Sequence, residues 1–207
     1  MNKRLRIAGI IGAVIVSIVI LSSPSNPPPI PEPNINSSGN DAVEILAKNL
    51  NKPWAIESVD NRIFFTESTG KIRVIDSGKL LDEPLASLRV ADVYDGGLLG
   101  IVAHPNFSDN SFLYVYYTYE EDGNLWNKIL RIKENENKIQ DAETIFDKIP
   151  GSLFGNGGVL KFGPDKKLYV GTSTVSDSSH DSQNLESLSG KILRLNDDGT
   201  IPDDNPL

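Results

Sequence analysis

IPGSLFGNGGVLKFGPDKKLYV, residues 149–170, decides how the rest of the chain is read. A glycine-rich turn, Gly155–Gly158, leads straight into the apolar stretch Val159–Phe162; a Gly163-Pro164-Asp165 turn follows, and then Leu168–Thr172. Asn156-Gly157-Gly158 takes positive φ at little cost, so the backbone there can bend sharply and pass close to a ligand or another segment. The spacing predicts a β-hairpin with a loop at its entrance.

Outward from this hairpin the pattern repeats. Pro53–Asp76 reads as three strands (Trp54–Val59, Ile63–Glu67, Lys71–Asp76), with turns at Asp60-Asn61 and Thr69-Gly70. Leu99–Lys133 repeats the order with Gly100–Ala103, Phe112–Tyr119 and Lys128–Lys133, and Val159–Asn196 does so again. The third strands align as Lys71–Ile75, Lys128–Ile132 and Lys191–Leu195, at spacings of 57 and 63 residues. Basic and aliphatic residues alternate along them with period two, as antiparallel strands with one buried face require. The aromatic residues Phe112, Tyr114, Tyr116, Tyr117 and Tyr119 suit the same one-packed-face arrangement. Past residue 40 no stretch sustains a 3.6-residue pattern.

Repeats of three or four antiparallel strands at this period indicate propeller blades. The expected fold is all-β, a partial β-propeller of about three four-stranded antiparallel blades over residues 41–207, incomplete at the C-terminus. An unclosed ring keeps unpaired edges. The chain therefore reads as a truncated or split form of a longer protein, marginally stable or associating when alone.

The hairpin also resembles a segment of the soluble pyrroloquinoline quinone (PQQ)-dependent aldose, glucose and sorbosone dehydrogenases, in which an H-N-G-G-R stretch enters the strand. Leu50–Ile56, Gly96–Pro105, Gly190–Asn196 and Asp198–Pro206 resemble further family segments, in the family's order. The resemblance implies a six-bladed propeller that oxidises an aldose at C1 to a lactone, with PQQ and calcium as cofactors. The family's base, a histidine, falls at Gly155, its arginine at Val159, and its later Gly-Asp at Ser173-Thr174. The glutamine or glutamate that the family places near the quinone falls at Asp95. By the resemblance, then, the chain carries no catalytic residue of its own, and Asp95 and Asn156 are the candidate cofactor contacts. The family's arginine–asparagine pair and calcium loop lie past Leu207, so pairing with a missing C-terminal half is expected. The same departures leave room for a second reading: a silent propeller segment that binds a sugar or a protein.

Before the repeats, Lys3, Arg4 and Arg6 precede an uncharged apolar run, Ile7–Leu21. Residues 1–23 read as a signal peptide or a retained N-terminal membrane anchor, a hydrophobic helix in either case, and the length leaves both open. Residues 24–40, rich in Pro, Ser and Asn, form a stiff linker. The remainder is expected to be extracytoplasmic, secreted or anchored. Asn36-Ser37-Ser38 and Asn106-Phe107-Ser108 are glycosylation sequons.

Beyond residue 40 there are 17 basic against 27 acidic residues, an acidic balance that argues against nucleic acid as a partner. With no cysteine there is no disulfide, thiolate metal site or cysteine nucleophile. His104, in a strand-ending turn, suits a hydrogen-bonding role, with chemistry as the alternative. His180, in the polar loop Ser176–Ser182, is either solvated or part of a flap over the mouth. Neither has a second histidine at ligand spacing, so no metal site is assigned. Asp197-Asp198-Gly199 and Asp203-Asp204-Asn205 resemble turns more than calcium loops, and Glu120–Gly123 reads as a hairpin tip.

Overall fold

Tight two-residue turns join several of these strands into hairpins. Asp122-Gly123 joins β7 (Phe112–Glu121) to β8 (Asn124–Asn135), and both turn residues have positive φ, 52° and 73°. Two left-handed residues give the turn a twist that matches its flanking strands. The predicted hairpin tip at Glu120–Gly123 is therefore found. A second turn of this kind, Glu136-Asn137 (φ 50° and 61°), joins β8 to β9 (Lys138–Pro150). Thirteen residues of strand were missed there, because a glutamate–asparagine turn carries no glycine signal.

The computed structural model describes residues 43–175 and 181–206. The N-terminal apolar run, the linker, the sequon at Asn36 and His180 lie outside the described residues. Residues 44–207 form one unit by themselves. Its strands make three antiparallel sheets. The first contains β1 (Pro53–Val59), β2 (Arg62–Glu67) and β3 (Lys71–Asp76), with the short β4 (Lys79–Leu80) and β5 (Ala86–Ser87) both pairing with β3. The second runs β6 (Leu98–Ala103), β7, β8, β9, and the third β10 (Val159–Phe162), β11 (Leu168–Gly171), β12 (Ile192–Leu195). A single helical turn, α1 (Phe107–Asn110), stands where a turn was expected. The partial propeller is thus present as three sheets, with five, four and three strands in place of a uniform four.

The middle sheet overturns the expectation of one packed face. Along β7, Leu113, Val115 and Tyr117 enter one core cluster, which they share with Phe64, Ile72 and Val74 of the first sheet. Tyr114 and Tyr116 point the other way, into a cluster with Leu160, Leu168 and Val170 of the third. Strand alternation feeds both clusters at once because this sheet is sandwiched. Each fully buried large side chain contributes about 1.5–3 kcal/mol. The first sheet packs Phe64 and Val74 toward the middle sheet and also buries Phe65 and Ile75 on its other face, along a groove lined by Ile45, Leu46 and Leu50.

Candidate functional site

The two positions singled out by resemblance as quinone neighbour and base meet in space. The Gly155 N–H donates to Asp95 Oδ2 at 3.3 Å, across 60 residues of sequence. The Asp95 N–H donates to the Leu153 carbonyl at 3.2 Å, so the approach to β6 and the approach to β10 are tied together at the mouth of the sheets. Tyr94 and Phe154, one residue before each partner, bring their rings to 4.6 Å between centroids. Both rings are open to solvent, 76% and 52% exposed.

Gly155 has φ +74°, and a Cβ there would sit 3.0 Å from Ser173 Oγ and 3.1 Å from the Thr174 carbonyl oxygen. The side chain that the family's base position would carry thus points at Ser173 and Thr174, the very pair that replaces the family's Gly-Asp. Val159, at the arginine position, is 71% exposed.

The Asn156 side chain is turned inward. Its buried amide accepts from the Ser152 N–H (3.0 Å) and from Asn127 Nδ2 (3.3 Å), and it donates to the Ser152 carbonyl (2.8 Å). Its carbonyl oxygen accepts from Tyr116 Oη at 2.9 Å. Asn127 in turn donates to the Pro150 carbonyl (2.9 Å) and accepts from Thr118 Oγ1 (2.7 Å). This buried relay, Thr118–Asn127–Asn156, clamps loop 151–158 onto the middle sheet, and burial pushes the Tyr116 phenol well above its ordinary range. Sequence reasoning missed Thr118, Asn127, Tyr94 and Phe154. No local pattern marks them, because their roles come from pairing across 9 to 60 residues.

His104 lies away from this mouth. Its Nδ1 accepts from the Asn106 N–H (3.0 Å) and faces Asn110 Nδ2 (2.8 Å), while Nε2 stands 3.5 Å from Asp197 Oδ2. The ring packs edge-on against Phe162. Burial lowers its pKa, partly offset by Asp197. The turn and hydrogen-bonding role expected from sequence is the one its contacts fill. The downstream aspartates also act in turns and pairs. Asp198 Oδ1 accepts from the Thr200 N–H and Oγ1, which hold its carboxyl below the usual range, and Asp204 pairs with Arg194 at 2.7 Å. Among the described residues no group of three or more His, Cys, Asp or Glu side chains is placed to hold a metal.

The fit to PQQ follows from the donors present. A quinone with several carboxylates needs cations, yet no Lys or Arg hydrogen-bonds to Asp95, to residues 151–158 or to Ser173-Thr174 among the described residues. The Asp95 carboxylate repels such an anion. These residues by themselves do not fit the group, and no step is derived through it.

A sequence profile described as Glucose / Sorbosone dehydrogenase matches residues 50–207. The chain is 33% identical over 174 residues to the aldose sugar dehydrogenase YliI of Escherichia coli K12, covering 79% of this chain and 46% of that one. It is 31% identical over 238 residues to the quinoprotein glucose dehydrogenase B of Acinetobacter calcoaceticus, covering 100% and 50%. The solved PQQ-bound form of an aldose sugar dehydrogenase from Streptomyces coelicolor superposes with a TM-score of 0.72 at 31% identity, over 80% of this chain and 50% of that one. The chain spans about half the length of the relatives it matches.

Proposed function

Because the chain belongs to the glucose/sorbosone dehydrogenase family, we propose that it comes from the sugar-oxidising side of that family. In this reading it is an extracytoplasmic protein of PQQ- and calcium-dependent aldose dehydrogenase type, held outside the cytoplasm by its N-terminal segment and impaired in catalysis as it stands. The observation that carries it is the meeting of Asp95 and Gly155. Two loops that the family resemblance assigns to one site converge on one hydrogen bond, with the aromatic pair Tyr94–Phe154 beside it. Aromatic faces and a nearby carboxylate suit the C–H and O–H groups of a sugar ring. The substrate class is an aldose, oxidised at C1 to the lactone when the machinery is complete.

Gly155 supports the impairment. A positioned base supplies about 10²–10⁴ in rate, and glycine accepts no proton. Purified chain, supplied with PQQ, calcium and an aldose, should therefore reduce an acceptor dye at least about 10²-fold more slowly than a relative that keeps the histidine. Turnover at the relative's rate would overturn the impairment. Turnover that persists after His104 and His180 are both replaced would exclude a histidine base.

A second reading is favoured by the same glycine together with the solvent-open rings of Tyr94 and Phe154. In it the chain binds sugar, or a protein, without oxidising it. Calorimetric titration with aldoses in the absence of PQQ separates the two. Saturable binding with no dye reduction supports the binding module, and no binding removes it.

A further inference from the structure

A cavity of about 480 Å³ lies between the connection from β5 to β6 and the β7–β8 hairpin, and Arg89, Tyr117, Tyr119, Glu120 and Lys128 line it. None of the residues that meet at Asp95 and Gly155 takes part in it. Register brings its aromatic and basic groups together. Tyr117 stands opposite Lys128 across the β7–β8 pair, and Tyr119, two residues on, projects from the same face. The Lys128 ammonium lies 4.0 Å from the Tyr119 ring centroid and 5.5 Å from that of Tyr117. The Tyr119 hydroxyl donates to Asp147 Oδ1 at 2.5 Å, which holds that ring in place. Arg89 comes from backbone pinned on either side. The Leu88 N–H donates to the Gly70 carbonyl and the Ala91 N–H to the Thr118 carbonyl, both at 2.8 Å.

The donors around this cavity are unpaired. Among the described residues neither Lys128 nor Arg89 has a carboxylate or a hydrogen-bond acceptor in reach. Tyr117 is only 8% exposed, yet its hydroxyl has no hydrogen-bond partner and is not sealed from solvent. A phenol buried to this extent ordinarily finds a partner. On the acceptor side, Glu120 is the one carboxylate of the lining, and the nearby Asp92 is already held by Lys52 at 3.0 Å. Three donors, two of them charged, therefore face one acid in a chain that is acidic elsewhere. A cation would be repelled by that balance, and a neutral ligand would leave both positive charges without a counter-charge. With the ammonium over the Tyr119 ring, that face is also closed to the stacking of a neutral sugar.

We propose that this cavity binds a small oxyanion, a carboxylate or a phosphate, carried on a hydroxylated ligand. Lys128 and the Tyr117 hydroxyl, neighbours across the strand pair, donate to the oxyanion, and Arg89 donates from the facing segment. Glu120 accepts from a hydroxyl of the same ligand. Hydrogen bonds from cations to an oxyanion are the strong kind, and the phenol supplies a neutral donor fixed by its burial. The site stands apart from sugar oxidation, since none of its groups belongs to the mouth.

The test is calorimetric titration of the full chain, in mild detergent, with sodium gluconate, with inorganic phosphate and with the neutral polyol glucitol. At least one of the two anions should bind saturably, and glucitol should not; which anion binds tells a carboxylate ligand from a phosphate one. Added sodium chloride should weaken the binding. Lys128→Met should weaken it at least about tenfold, the effect of losing one charge-assisted hydrogen bond. Tyr117→Phe should weaken it less while keeping the ring in the core. Arg89→Met, at an exposed side chain, tests the same charge balance without touching the core, and should also weaken it. Glu120→Gln should bind as tightly or more so. Saturable binding by neither anion overturns the proposal, and so does glucitol binding as tightly as gluconate. Anion binding left unchanged by both Lys128→Met and Arg89→Met overturns it as well, because the anion would then sit elsewhere.

Discussion

His104 and Asp197 meet across the seam between the second and third sheets, imidazole Nε2 to carboxylate Oδ2 at 3.5 Å, while the other ring nitrogen accepts from the Asn106 backbone N–H at 3.0 Å. Protonating Nδ1 would remove that acceptor and charge a ring packed among Phe112, Tyr114 and Phe162. The contact is 93 residues long in sequence, so its loss loosens one sheet from the next.

Its pH dependence has a definite sign. Burial holds the folded pKa of His104 below the ordinary 6.5. A group with a depressed folded pKa contributes its stability above the unfolded pKa and loses it as pH falls through the folded one. Thermal midpoints should therefore drop on acidification from pH 7.5 to 5.5, and His104→Gln should flatten that part of the curve. A parent midpoint that rises over this interval would contradict the assignment.

The clamp beneath the mouth should be costly to cut. Asn127→Ala strands the Thr118 hydroxyl and takes a donor from the Pro150 carbonyl and from Asn156 Oδ1, which keeps the Ser152 N–H. Leaving buried polar groups unpaired costs about 1–3 kcal/mol. Urea unfolding should show a loss in that range, and a neutral result would mean that the relay carries no load.

Restoring the family's histidine by a single change should fail structurally. Gly155→His puts a side chain at φ +74° with its Cβ 3.0 Å from Ser173 Oγ. The left-handed conformation alone costs roughly 1–2 kcal/mol. Gly155→Ala should lose a similar amount in urea melts, Gly155→Asn less. Equal stability of all three would show that the loop relaxes freely.

Arg62 and Glu134 pair between the first and second sheets, 2.9 Å apart, with Glu134 buried (1% exposed) and Arg62 partly so (24%). Glu134 also accepts from the Asn137 N–H at 2.7 Å, and the guanidinium lies over the Phe64 ring at 5.0 Å. Removing one partner of such a pair costs about 3–5 kcal/mol, because the other charge stays buried. Arg62→Met should lose about that much in urea. The double change Arg62→Met with Glu134→Leu should recover part of it, short of the bond to Asn137. A double variant no better than Arg62→Met would refute the buried-charge account.

What the sequence determined is local and periodic. The KIRVI, KILRI and KILRL strands, the turns, and the hairpin after Gly155–Gly158 were legible because alternation and turn residues act over a few positions. The motif order also carried the family. Tertiary structure decided the rest: that Tyr114 and Tyr116 serve one core and Leu113, Val115 and Tyr117 another, that Asn156 is a clamp, and that Asp95 reaches Gly155. Each of these depends on which sheets stack against which. Stacking is set by faces that meet only after residues far apart in sequence have paired, and no window of neighbouring residues encodes that.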